Sequence, residues 1–121
     1  MNKKELLELQ TITTIFYIIS LFISLILTYN EFLNLENKQI FSENLEEKIG
    51  IYNRIFVVIL TLSYLYINYQ NKKNCNSIKD LKYKDLQVFA SVLSTTAALI
   101  VLYVVINSGR YTITSAGNPN L

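Results

Sequence analysis

The sequence predicts an all-α, small integral membrane protein with three transmembrane helices and a short amphipathic helix in the loop between the first two. Three observations carry this reading. Residues 9–30 and residues 86–109 contain no charged side chain at all, and each run matches the roughly 20 apolar residues that cross a bilayer's hydrocarbon core. Hydrophobic residues make up 51% of the chain and charged residues 17%, against about 25% charged in ordinary soluble domains. The single proline and two of the three glycines (Pro119, Gly109 and Gly117) fall near the C-terminus, so residues that break helices are almost missing from the apolar segments. With 121 residues and no Gly-, Pro- or Ser-rich linker, one membrane domain spanning 1–121 is expected. Its spans fall near 9–33, 51–70 and 86–108, and a polar tail follows at 109–121.

The first span runs from Leu9 past Thr28 and Tyr29, with Phe32 and Leu33 prolonging its apolar character beyond Glu31. Lys3 and Lys4 resemble the basic start of a secretory signal, but the apolar stretch is too long and no alanine precedes Ala90 to form a cleavage site. The segment is therefore expected to stay attached. Thr13, Tyr17, Ser20, Ser24 and Thr28 recur at intervals of three or four residues and share one helix face. Ser20, Ser24 and Thr28 form a small-xxx-small pattern, the kind of surface that lets helix backbones approach closely in lipid. This stripe is expected to be a helix-packing face.

Between the first two spans, Glu43, Glu46 and Glu47 follow Ser42, a residue type that caps helix N-termini. Phe41, Leu45, Ile49 and Tyr52 recur every three or four residues. An amphipathic helix on the membrane surface, or an extension of the second span, is expected, with the carboxylates on a solvated face. Nothing in the acidic run has the spacing of a calcium loop.

The second span has a short apolar core, Ile55 to Ile67, extended by Tyr52, Tyr64, Tyr66 and Tyr69, whose rings suit the membrane interface. Arg54 lies one turn inside. We expect it at the outer interface, either paired with Glu31 of the preceding helix or snorkelling to headgroups. The third span begins with a small-residue half in which Ala90, Ser94 and Ala98 recur every four residues, followed by a bulky half from Leu99 to Ile106. The small half is expected to pack against the Ser20/Ser24 stripe or against a second copy of itself.

Orientation follows from the basic residues. Lys3 and Lys4 precede the first span, and Lys72, Lys73, Lys79, Lys82 and Lys84 crowd the connection after the second. Lys38, Lys48, Arg54 and Arg110 lie on the other side. Seven against four predicts a multi-pass cell-membrane protein with a cytoplasmic N-terminus and an outer C-terminus. The five clustered lysines are expected to meet anionic lipid headgroups. That loop offers only Tyr83 as a stacking ring and no arginine, so a nucleic-acid partner is not expected. Cys75, in the same loop, reads as a free thiol in a reducing compartment.

Enzymatic chemistry is not expected. The chain has no histidine and one cysteine, which removes the usual general base near neutral pH and the means of building a zinc site. No phosphate-binding or dinucleotide-binding glycine motif and no nucleophile elbow occurs. No carboxylate is expected inside an apolar core, and no cofactor is implied. The abundance of Asn, Ile, Lys and Tyr suggests an AT-rich, bacterial or phage genome.

In size and span number the chain is similar to one broad class of phage holins, but those have an outer N-terminus and a charged cytoplasmic C-terminus. Small bacteriocin-immunity proteins are likewise basic and multi-spanning. Neither resemblance carries a functional residue over. The function expected is a non-enzymatic accessory, regulatory or immunity-type protein. Its partners are the lipid bilayer and another membrane protein or a second copy, bound through the small-residue helix faces. An oligomeric pore is the alternative.

Overall fold

The computed structural model describes residues 1–108 and is all-helical: α1 (Lys3–Asn34), α2 (Glu43–Lys73) and α3 (Ile78–Ser108). All three are long and apolar enough to cross a membrane. The polar tail and Arg110 lie outside the described residues.

Each helix is longer than its apolar stretch, because the polar flanks continue it. α1 begins at Lys3, where the Asn2 side chain caps it by accepting from the Glu5 N–H at 2.8 Å. The amphipathic segment expected in the first loop is the opening of α2. Ser42 caps it by accepting from the Leu45 N–H at 3.2 Å, and Glu43 and Glu46 occupy the first turn, where carboxylates complement the helix dipole. α3 starts at Ile78, well before the apolar run, because Lys, Asp, Leu and Tyr are compatible with helix and no breaker intervenes. The α1–α2 turn closes at Asn37, which adopts the left-handed conformation (φ 58°) that Asn tolerates better than most residues.

α2 is the central helix. It packs on both α1 and α3, while α1 and α3 do not pack on each other among the described residues. The burial agrees, with 33% of the apolar window of α2 buried against 22% for each neighbour.

Side chains are distributed inside out relative to a soluble bundle. Ser20 is 1% exposed, whereas Phe22, two residues along the same helix, is 59% exposed. Leu25, Ile59, Leu93 and Ile100 are likewise exposed. In water such a surface would drive association; in lipid it is the solvated surface. Leu6, Leu27, Val57, Leu60, Ile67, Ala98 and Val105 form the small apolar core among the described residues. Aromatic contacts support the α1–α2 interface: Phe16 meets Phe56 edge-on at 5.8 Å, and Tyr17 meets Tyr64 edge-on at 6.4 Å.

Candidate functional site: a polar seam along the central helix

On α2, Glu46, Gly50, Asn53, Val57 and Leu60 are buried at intervals of four, three, four and three residues, which places them on one face. This stripe mixes polar, small and apolar residues, and its polar members organise the interface with α1.

At the end that bears the short connecting turn, Asn30 is fully buried and acts as a clasp. Its Oδ1 accepts from the Ile40 and Phe41 N–H groups at 2.7 and 2.9 Å, and its Nδ2 donates to Glu46 Oε2 at 2.8 Å. One amide thereby ties the last turn of α1, the loop and the first turn of α2 together. Deeper along the seam, Ser20 Oγ donates to Asn53 Oδ1 at 2.8 Å, and Asn53 Nδ2 donates to Ser24 Oγ at 3.0 Å. Thr14 and Tyr64 share a hydrogen bond at 2.8 Å nearer the lysine-rich end. On the other flank of α2, Asn68 Nδ2 donates to Ser91 Oγ, whose own hydroxyl donates to Gln87 O. Many of the other hydroxyls bond back within their own helices, among them Thr13 to Leu9 O, Thr28 to Ser24 O and Thr95 to Ser91 O. This is how a hydroxyl avoids being left unsatisfied in hydrocarbon.

Two buried atoms have no hydrogen-bond partner among the described residues: Glu46 Oε1 and Arg54 Nη1. The residues are 2% and 3% exposed and lie two turns apart on α2 with buried Gly50 between them. They carry opposite charge. Direct pairing would need both side chains to extend along the helix; as they stand they form no ion pair.

Several sequence expectations change here. Ser20 and Ser24 do form a packing face, but their partner is Asn53 of α2, not the small-residue half of α3. Thr28, expected on the same face, is exposed at its edge. On α3, Ala98 is buried, Ser94 half-buried and Ala90 exposed, so the contact face is rotated by about one residue to Ser91, Thr95, Ala98 and Val105. Glu46, expected on a solvated face, is buried, because α2 starts early enough for its first turn to pack on Asn30. The expected interfacial pair of Glu31 and Arg54 is not brought together. Asn30 pairs with Glu46, so Glu31 lies near that level, whereas Arg54 is eight residues further along α2, about 12 Å deeper. Of the five clustered lysines, Lys72 is engaged by Asp85 at 2.7 Å; Lys73, Lys79 and Lys82 are exposed and Lys84 is half-buried.

Asn30, Asn53 and Asn68 were not anticipated from the sequence as site residues. The signal that could have found Asn53 is the spacing of Glu46, Gly50, Asn53, Val57 and Leu60. It was obscured because Asn53 and Arg54 sit where a membrane boundary was expected.

Because α1 and α3 stay apart, a groove of about 480 Å³ opens between them over α2. Its walls include Tyr17, Tyr64, Asn68, Gln87, Ser91 and Ser94, so it presents hydroxyl and amide groups, with no charged side chain, at membrane depth. Chemically it can accept hydrogen-bonding groups or a closely approaching helix. Among the described residues no group of three His, Cys, Asp or Glu side chains could hold a metal ion. Cys75 lies outside the groove, its thiol directed at Ser77 O at 3.4 Å. Compared with known proteins, the chain matches no family model, no curated protein and no solved structure.

Proposed function

We propose that the chain is a non-enzymatic membrane interaction protein of accessory, regulatory or immunity type, which receives a transmembrane helix of a partner, or of a second copy, in the groove between α1 and α3. The observation that carries this reading is the groove itself. A helix pair flanking α2 without closing on each other leaves Tyr17, Gln87, Ser91 and Ser94 facing a space inside the membrane. Lipid tails offer the Gln87 amide and the Ser94 hydroxyl no hydrogen bond, whereas a helix bearing small or polar residues does. Ala90 and Ser94 supply the low relief that close approach requires. In this reading the lysine-rich end is cytoplasmic, as the asymmetry of basic residues favours.

The test is assembly. Ser94→Phe fills the groove and is expected to abolish cross-linking to the partner or to a second copy, whereas Leu99→Phe, on an exposed face, leaves it intact. Equal effects from the two substitutions would remove the groove from the model of assembly. The alternative, an oligomeric pore, draws on the same hydroxyl and amide lining and requires several copies, since three helices do not enclose a wide path. Dye release from vesicles carrying the purified protein separates the two readings, because only the pore releases dye.

A further inference from the structure

At the lysine-rich end, α3 extends beyond its neighbours. Asn68 meets Ser91, so the last residue of α2, Lys73, is level with about Leu86, and the segment Ile78–Asp85 extends roughly 12 Å beyond the end of α2, tied to it by Lys72 on Asp85. Along this segment and the turn that follows it, Ile78, Leu81, Lys82, Asp85, Leu86 and Phe89 recur at the three- and four-residue spacing of a single face. They line an open trough of about 490 Å³. Apart from Asp85, which Lys72 of α2 reaches at 2.7 Å, that face lies away from Ser91, Thr95 and Ala98, the buried residues through which α3 packs on α2. Ile78 is 90% exposed.

We infer that this trough seats one anionic phospholipid, with Lys82 on the headgroup phosphate and an acyl chain lying over Leu86 and Phe89. The inference is independent of the groove between α1 and α3. Charge complementarity selects the occupant. Asp85 is the one acidic residue in the trough, and Lys72 neutralises it from the neighbouring helix at 2.7 Å. Lys82 has no ion pair among the described residues, so the trough presents a net positive charge. The arrangement of the apolar groups selects a lipid over a soluble anion. Leu86 and Phe89 continue from Lys82 into the membrane-crossing part of α3, along the path an acyl chain takes below its phosphate. Ile78 and Leu81 lie on the water side, where they shield the ammonium–phosphate contact. A lysine one turn from an apolar surface at the membrane boundary can lay its methylene stem on that surface and present its charge to headgroups.

The experiment is native mass spectrometry of the full chain in mild detergent, titrated with phosphatidylglycerol or phosphatidylcholine. Phosphatidylglycerol is expected to be retained in preference, one per chain. Lys82→Gln is expected to lower its retention about fivefold, the effect of one basic residue at an anionic surface. Lys73→Gln, which removes the same charge from outside the trough, changes retention less than about twofold on the same scale. Phe89→Ala weakens both lipids alike, because it acts on the chain, and excess soluble glycerol phosphate fails to displace the bound lipid. Equal retention of the two lipids, or a loss with Lys73→Gln as large as that with Lys82→Gln, would overturn the inference and leave only a diffuse basic surface.

Discussion

Removing the side chain of Asn30 is expected to be among the most damaging single polar substitutions in the protein. Asn30→Ala deletes four hydrogen bonds: those of 2.7–2.9 Å to the Ile40 and Phe41 N–H groups and to Glu46 Oε2, and a long one of 3.5 Å to Phe41 O. A typical interhelical hydrogen bond in a membrane is worth only about 0.6 kcal/mol, with a maximum near 1.7. The greater cost lies in the partners left behind, at roughly 1–3 kcal/mol for each buried group without a bond. Ile40 is exposed, so water can reach its N–H and the loss there falls at the low end of that range. Glu46 is almost fully buried and already has one oxygen without a partner, so losing the Asn30 amide leaves its carboxylate with no direct hydrogen bond. The total comes to about 3 kcal/mol, with the Glu46 contribution the largest. Unfolding in mixed micelles by titration with a denaturing detergent measures it. Asn34→Ala, at an exposed position on the last turn of α1, serves as the control and is expected to change stability by less than about 0.5 kcal/mol. In a double-mutant cycle, Asn30→Ala with Glu46→Ala should cost at least about 1 kcal/mol less than the two separate losses added together, since the orphaned carboxylate is gone. Strict additivity, or an Asn30→Ala variant as stable as Asn34→Ala, would refute the clasp.

Arg54 tests the other buried charge, one of whose nitrogens, Nη1, has no hydrogen-bond partner among the described residues. Arg54→Met retains much of the side-chain bulk without the buried guanidinium and is expected to be neutral or stabilising by about 1–4 kcal/mol in the same titration, as when buried ionic groups are replaced by well-packed apolar ones. A marked loss of stability would mean that the guanidinium has a partner essential to the fold. The exchange Arg54→Glu with Glu31→Arg is expected to give no rescue, because the register separates the two positions along the bundle. Topology is checked by reporter fusions at Asn2 and Asn76, both expected in the cytoplasm. Replacing Lys72, Lys73, Lys79, Lys82 and Lys84 together by Gln leaves two basic residues on that side and should yield mixed or inverted orientation.

Much of the architecture was legible in the sequence because a bilayer reads composition over lengths of about 20 residues. The charge-free runs at 9–30 and 86–109 and the Tyr-flanked apolar core after Arg54 each locate a span without reference to any other part of the chain. The capping side chains Asn2 and Ser42 were likewise in plain view. Yet the extension of each helix through its polar flanks was underestimated, since hydropathy marks where lipid ends and not where helical hydrogen bonding ends. Ser20 and Ser24 were identifiable as a packing face for the same local reason, a repeat at helical spacing. The identity of their partner was not, because that depends on how two helices are rotated and offset along their axes. Those quantities arise from many weak contacts that have no signature in either helix alone. The tertiary structure therefore decided that α2 is central, that Asn53 rather than α3 meets Ser20 and Ser24, and that Glu46 lies buried beneath Asn30. It also placed Arg54 about 12 Å from the level of Glu31. A shift of one residue turns a helical side chain by about 100°, enough to move Ala90 out to an exposed position while Ser91 faces α2.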